Sequence, residues 1–337
     1  MGCPCRPHGT AGRTNWPAEI LPVLEHTLTC EYASLTRTGA PITWPVAPYV
    51  AEDGRTVDVS TGLTYPSKAE RARRDPRVAL LFSDPTGSPV SGPPTVLVQG
   101  LATVRDADLQ ANTDLYLRRT LAKYPQSLAR QPWFLVRRQV WYWARIWIEV
   151  TPLRVLWWPD GRLDAPPLRW EAAPEVTAPP SDPVPAGAGA PKWLEPPADW
   201  RPRADHAAGL GDPVLTVVGE DGWPLPLRSS GATRVDDGFL VRIGPPGVPA
   251  RGRACLTFHT HDADMSGQEN VVLVGEATPL SDGVHVRVER ALADFSLSGS
   301  RAGQVRKMVR TARALAPRLE REAARRGQPV PVLRRPR

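Results

Sequence analysis

Ser67 and Lys68 set a hydroxyl beside a compact positive charge at the start of a short basic stretch, Ser67-Lys-Ala-Glu-Arg-Ala-Arg-Arg74. The stretch reads as a helix that stops before Asp75-Pro76, because the residue before a proline leaves helical geometry. A helix start has N–H donors without intrahelical acceptors and the positive end of the helix dipole, so this arrangement suits a phosphate. A lysine meets a phosphate as a point charge, and an arginine can add a bidentate contact. Arg71, Arg73 and Arg74 follow, but helical geometry cannot aim all three at one place. The plainer alternative stays open. Ser67 with Glu70 three positions on forms a capping box, and Lys68 with the arginines would then be a solvated basic face.

Two other groups carry candidate chemistry. In His259-Thr-His261-Asp-Ala-Asp264, strand alternation puts both imidazoles on one face. With Asp262 or Asp264 they could ligate a metal, and one could bind haem, but the sequence nominates no third and fourth ligands. A substrate-facing or structural role is the expectation. Cys3, Cys5 and His8 lack a fourth ligand, and a disordered tail is expected there.

The elements that must position Lys68 are strands. The pattern predicts a helix over 16–26, strands over 28–35, 42–50 and 57–61, the helix from Ser67 to about Arg74, and strands over 78–82 and 95–104. A helix over 107–123 follows, then strands over 141–149 and 154–158. Six or so short strands around one small helix argue for a barrel. Trp141, Trp143 and Trp147 share strand parity, so they could line an interface or a stacking wall. Residues 161–207 are Pro- and Ala-rich and read as a semi-rigid linker, or as chain laid on a domain surface and anchored by Trp193 and Trp200.

A second unit over 208–290 repeats the first in outline, with strands over 214–218, 225–235, 239–243, 254–260 and 270–277. Leu80-Leu-Phe82 aligns with Leu256-Thr-Phe258, and Val96-Leu-Val-Gln-Gly-Leu-Ala102 aligns with Val271-Val-Leu-Val-Gly-Glu-Ala277, as an internal duplication would require. The segment between Ile243 and Ala254 carries Arg251 and Arg253 but no Ser-Lys pair. From Val286 the chain is expected to turn helical, with a basic helix over 291–326 and a disordered tail over 327–337.

Composition bounds the reading. The 337 residues are 41% hydrophobic and 23% charged, which is globular and large enough for two domains. The net charge of +7 is concentrated at the end: residues 301–337 hold twelve Arg or Lys against two Glu. The body is therefore slightly acidic, and a nucleic-acid partner is excluded. No apolar run reaches membrane-spanning length, and the N-terminus lacks a secretory apolar region. Cys30 and Cys255 sit in apolar strand contexts, so buried thiols and a cytoplasmic location are expected.

The strand ending in Ser60-Thr61, the Ser67-Lys68 pair, the run Arg73-Arg74-Asp75-Pro76-Arg77-Val78-Ala79-Leu80 and the strand Val98-Gln-Gly-Leu-Ala-Thr-Val104 together resemble the pyridoxamine 5′-phosphate oxidase-like split-barrel family. That family includes FMN- and deazaflavin F420-dependent proteins. The likeness covers about 24–158 well and 210–290 weakly. It implies a mainly β chain of tandem FMN-binding split β-barrels with short helices, a Pro-rich linker and a C-terminal helix. It implies that Ser67 and Lys68 hold the cofactor phosphate, with Ser60 and Thr61 beside the ring and ribityl chain. Trp44, Pro45 and Val46 would lie near the pyrimidine side, and Gln99 would offer its amide.

What the resemblance implies for function is a flavin-dependent oxidoreductase acting on a small molecule, with FMN as cofactor. F420 is the alternative cofactor, haem a less favoured one, and a non-catalytic flavin- or haem-binding protein the rival function. Tyr65, His259 and His261 are candidates for substrate contact. Pyridoxamine 5′-phosphate oxidation itself is disfavoured, because that enzyme needs a second basic cluster for the substrate phosphate and this chain does not clearly show the family's C-terminal motif for it. Relatives of this kind are usually homodimers with cofactors between two barrels. Two barrels in one chain could instead form an intrachain pseudo-dimer acting as a monomer, with one cofactor.

Overall fold

The computed structural model describes residues 16–125, 132–191, 195–244, 250–265, 267–292, 295–296 and 301–335, with side chains described except at 295–296 and 301–309. Cys3, Cys5, His8 and Trp193 lie outside the described residues.

The first unit holds strands β1 (Cys30–Leu35), β2 (Pro41–Val46), β3 (Tyr49–Val50), β4 (Val57–Gly62), β5 (Arg77–Phe82), β6 (Thr95–Arg105), β7 (Arg145–Trp158) and β8 (Leu168–Glu171). They form one antiparallel sheet in the order β2-β1-β5-β6-β7-β4-β3, with β8 on β7. Its helices are α1 (Leu21–His26), α2 (Ser67–Arg74), α3 (Leu109–Lys123), α4 (Trp133–Val136) and α5 (Val140–Trp143). The second unit holds helix α6 (Arg201–Ala208) and strands β9 (Val214–Val218), β10 (Pro224–Arg228), β11 (Gly231–Val235), β12 (Gly238–Arg242), β13 (Gly252–His261), β14 (Gln268–Leu280), β15 (Gly283–Ala291) and β16 (Phe295–Ser296), followed by helix α7 (Arg301–Arg325). Its order is β10-β9-β13-β14-β15-β12-β11, with β16 on β14.

The two paths are the same path read twice, so the mainly β, tandem split-barrel plan expected from the sequence is present in outline. The duplication reaches the level of a single irregularity. β6 bulges between Gln99 and Gly100, and β14 bulges between Val274 and Gly275, the positions that the two aligned segments superpose. A Cβ at Gly100 would strike the Thr151 carbonyl, and one at Gly275 would strike the Arg287 carbonyl. Each glycine is there because the neighbouring strand passes too close for a side chain.

Each unit has its own core. Tyr32, Leu80, Phe82, Val98 and Ile148 are among the residues that fill the first; Leu215, Phe239, Leu256, Phe258 and Val286 are among those that fill the second. Leu319 and Ala323 of α7 pack into the first core, so the C-terminal helix returns across the molecule.

Several expectations need correction. Trp141 and Trp143 lie on α5 rather than on a strand, and the strand expected over 141–149 begins at Arg145 and runs unbroken to Trp158. Trp143 packs with Tyr116, Tyr142 and Trp147, so tertiary packing overrides β propensity there. The strand expected over 225–235 is two strands, interrupted where the buried Ser229 turns back to bond Pro213 through its N–H and hydroxyl. Residues from 286 are not yet helical: β15 continues to Ala291.

Residues 327–335, expected to be disordered, run along the first unit. Gln328 caps α3 by accepting from the Leu109 N–H at 2.7 Å and donates to the Asp106 carbonyl at 2.7 Å. Leu333 is buried among Tyr49, Tyr116 and Trp143. The Pro-rich segment also lies on a surface. Asp182 accepts from the N–H groups of Asp106 and Ala107, each at 2.7 Å, and Trp200 is buried in the second core.

The units meet through reciprocal faces. β2 lies on β13 and β14, and β10 lies on β5 and β1. Thr43 and Thr216 share a 2.6 Å hydroxyl hydrogen bond, and the Thr257 hydroxyl donates to the Thr43 carbonyl at 3.1 Å.

Candidate functional site

β4 delivers the chain to the site and a pinned turn passes it into α2. The Leu63 N–H donates to the Ala144 carbonyl at 2.8 Å, the Tyr65 N–H to the Gly62 carbonyl at 2.8 Å, and the Thr61 hydroxyl to the Tyr65 carbonyl at 2.8 Å. Pro66, not Ser67, is the N-cap residue, and no side chain caps this end. The capping-box reading of Ser67 and Glu70 is therefore not realised, and the exposed Ser67 hydroxyl is left at the helix start.

Lys68 is half-buried, with Nζ 5.8 Å from the centroid of the Trp44 ring. No carboxylate among the described residues lies within ion-pairing distance of it. Burial, then the charges of Arg71 and Arg145, pull its pKa down to about 7. A cation held among cations without a counter-ion is poised for an anion.

The three arginines of α2 separate as helical geometry requires. Arg71 is 7% exposed and turns inward, where Nε donates to the Ser34 hydroxyl at 2.9 Å while Nη2 has no hydrogen-bond partner. Burial, outweighing the attraction of the Tyr32 phenol, lowers its pKa to about 10. Arg73 pairs with Asp106 and the Asp182 carbonyl, and Arg74 is exposed.

Sequence reasoning missed Arg145, the first residue of β7, which pairs with Gly62. Its guanidinium lies 4.1 Å from the Tyr116 ring centroid and 4.8 Å from that of Tyr142, and Nη2 donates to the Tyr116 hydroxyl at 3.0 Å. Its Nε is buried without a partner. The signal that could have found it is an arginine placed directly after the aromatic run Trp141-Tyr-Trp143 and its alanine.

Of the other expected residues, Trp44 and Pro45 are half-buried on β2, and Trp44 packs against Cys255, Val272 and Val274 of the second unit. Ser60 is half-buried opposite Trp147. Thr61 is buried with its hydroxyl committed to the turn, and Val46 is buried in the first core. Gln99 is not brought to this group. Its Nε2 donates to the Pro224 carbonyl at 2.8 Å and its Oε1 accepts from Arg154 Nε at 2.6 Å, so both ends of the amide serve the junction between units.

The histidines also serve that junction. His259 Nε2 meets Glu31 Oε1 at 2.7 Å, and Arg228 reaches the same oxygen at 2.8 Å. His261 Nε2 lies 3.2 Å from Asp84 and 2.8 Å from the Thr29 hydroxyl. Asp84 and its own hydrogen bond to Asp262 raise the His261 pKa against the effect of burial. Both Nε2 atoms are engaged, and no metal-holding group of three or more acidic, His or Cys side chains occurs among the described residues.

The corresponding region of the second unit differs. Arg253 pairs with Glu289 at 2.8 Å. The backbone of Leu163 packs directly on Gly244, which follows β12 in the sequence as Leu63 follows β4.

No protein-family model and no curated protein matches the chain. Among solved structures, the chain is similar to an F420 reductase at 21% identity, covering 42% of this chain and 98% of that one with a TM-score of 0.32. A pyridoxamine 5′-phosphate oxidase-related, FMN-binding protein from Nostoc punctiforme is 14% identical, with coverage of 48% and 91% and a TM-score of 0.33. General Stress Protein 26 from Bacillus anthracis is 14% identical, with coverage of 46% and 96% and a TM-score of 0.30.

Proposed function

We propose that this chain is an oxidoreductase of the pyridoxamine 5′-phosphate oxidase-like kind that holds one flavin or deazaflavin per chain and acts on a small molecule. The observation that carries the reading is the uncompensated positive charge of Lys68 at the start of α2, beside the unpartnered Nη2 of buried Arg71. These donors fit a phosphate-bearing cofactor. When bound, such a cofactor supplies hydride or electron transfer.

The chain's own residues would bind and orient it. Lys68 and Ser67 hold the phosphate, with the free N–H groups of the first turn of α2 behind them. Trp44 and Pro45 wall the ring on β2, and Ser60 and the backbone of Thr61 approach it from β4. The second unit closes this side by packing Cys255, Val272 and Val274 on Trp44. The exposed Tyr65 borders the entrance, where it can meet a substrate.

The asymmetry of the units supports one cofactor per chain: the sequence between β12 and β13 carries no Ser-Lys pair. The reciprocal packing of β2 and β10 across the junction supports an intrachain pseudo-dimer. Among the described residues no helix is long and apolar enough to cross a membrane, and Cys30 and Cys255 are free buried thiols, which fits the cytoplasm.

The test is the spectrum of the purified full chain before and after incubation with FMN, F420 or haem. A bound flavin or deazaflavin at one per chain, reducible and reoxidisable without loss from the protein, is expected. A chain that takes up none of the three, or only haem, would overturn the proposal.

A further inference from the structure

We infer that the face of the first unit where α4 meets the C-terminal tail is a docking surface for an anionic lipid membrane, which the protein touches without crossing. None of the residues involved belongs to the candidate cofactor site.

Two segments distant in the chain converge on this face. Val136 of α4 and Leu333 of the tail are buried in one cluster with Tyr116, Leu117 and Trp143. With those two turned inward, their neighbours face water. Phe134 and Leu135 are 54% and 38% exposed, and Val332 is 62% exposed. Val332 is held in place by its backbone: its N–H donates to Gln110 Oε1 at 2.8 Å, and its carbonyl accepts from Gln110 Nε2 at 2.9 Å. A single exposed apolar residue is ordinary. Three of them, drawn from two segments anchored in one cluster, make a local apolar surface.

Arginines flank it. Arg137 and Arg138 follow α4, Arg334 and Arg335 follow Leu333, and Arg118 lies on α3; all five are exposed. None of the five forms an ion pair among the described residues. Exposed arginines elsewhere in the molecule do take carboxylates: Arg162 takes Asp164, Arg169 takes Glu171, Arg253 takes Glu289 and Arg287 takes Glu276. The sequence explains the difference. Residues 115–148 contain seven Arg or Lys and no Asp or Glu, and residues 327–337 contain three Arg and no acidic residue. Asp114, just before the first stretch, is engaged by Gln110 Nε2 at 3.1 Å.

Apolar side chains standing out among unpaired arginines fit an anionic bilayer. The apolar tips enter the boundary between headgroups and acyl chains, and the guanidinium groups meet lipid phosphates at headgroup level. A stable protein partner would ask for about 800 Å² of complementary surface, whereas a bilayer asks for no matching shape. Apolar insertion and attraction to anionic lipid are each weak alone and add together, so both halves of the face are needed.

The experiment is co-sedimentation of the full chain with vesicles of phosphatidylcholine alone and of equimolar phosphatidylcholine and phosphatidylglycerol, over a range of NaCl. The chain should bind the anionic vesicles about tenfold or more tighter than the neutral ones, and salt should release it. Arg137→Gln with Arg138→Gln, and Phe134→Ser with Val332→Ser, should each weaken that binding by about tenfold or more while keeping the wild-type circular dichroism. Arg334→Gln with Arg335→Gln should repeat the charge effect without touching α4. Val184→Ser is the control, because Val184 is 74% exposed but follows Asp182 and Pro183; it should bind as the wild type does. No binding to anionic vesicles, equal binding to both compositions, unchanged binding in the patch variants, or an equal loss in Val184→Ser would overturn the docking surface. Retention on heparin without vesicle binding would assign the arginines to a soluble polyanion and overturn it as well.

Discussion

Lys68 Nζ sits 5.8 Å above the Trp44 ring, so the charge that begins α2 rests on the strand that also carries the junction between the two units. Trp44 also packs against the buried cluster of Cys255, Val272 and Val274 in the second unit. A single indole therefore links the candidate phosphate group to the second unit. A cation over an aromatic face gains about 0.5–2 kcal/mol, which offsets only part of the cost of burying an ammonium without a counter-ion.

Lys68→Met should separate stability from binding. Removing an unpaired, half-buried charge is expected to leave the melting temperature of the ligand-free protein unchanged or to raise it by roughly 2–4 °C. FMN affinity should fall by about 100-fold or more, in line with about 3 kcal/mol for a charge-assisted contact. Thermal melts with and without FMN check both halves.

Cofactor affinity should depend on pH through Lys68. Its pKa in the free protein is about 7, and a bound anion favours the protonated form. Binding is then strongest below pH 7 and weakens as pH rises through that value, by about tenfold per pH unit until the bound-state pKa is reached. The sign for the free protein is opposite. Because the folded pKa lies below the unfolded one, the unfolded chain binds the extra proton between about pH 7 and 10, and this group's contribution to stability rises with pH there. FMN titrations between pH 6 and 9 on wild type and Lys68→Met should show the dependence in the first and its absence in the second.

The two bulge glycines give a test of the duplication. Gly100→Ala and Gly275→Ala each drive a methyl group into a neighbouring strand's carbonyl, and each should cost about 1–3 kcal/mol. Urea unfolding measures the loss. Two similar values are expected, because the two positions are the same position in a repeated plan.

Much of this plan is legible in the amino-acid sequence. The Ser67-Lys68 pair, the two aligned strand segments and the missing pair in the second unit are local patterns, and local patterns survive in sequence. What does not show there depends on distant partners. Gln99 reads as a cofactor ligand because nothing in its own strand announces that Arg154 and Pro224 take both ends of its amide. His259 and His261 read as substrate-facing or structural without a way to choose between the two, because Glu31 and Asp84, which occupy them, lie far away in the chain. Arg145 draws no notice because its meaning comes from Tyr116 and from α2, neither adjacent to it. The C-terminal tail reads as unstructured because its partners, Leu109, Asp106 and Gln110, belong to the first unit.

Glu31 is the polar anchor of the junction. Burial pushes its carboxyl pKa up, but Arg228, the hydrogen bond and charge of His259, and Ser83 outweigh this and hold it below the ordinary glutamate range. Glu31→Ala should strand Arg228 and His259 and cost about 3–5 kcal/mol. For the wild type, this depressed pKa means stability present above about pH 4.5 and lost as pH falls through the folded value. Chemical denaturation at pH 7 and over a series of pH values below about 4.5 checks both, with Glu31→Ala losing less stability on acidification than the wild type.

The most direct measurement is an equilibrium titration of the full-length protein with FMN, alongside Lys68→Met under the same conditions. The account predicts saturation at one FMN per chain for the wild type and an affinity lower by about 100-fold or more for the variant. Two FMN per chain, or an unchanged affinity in Lys68→Met, would contradict it.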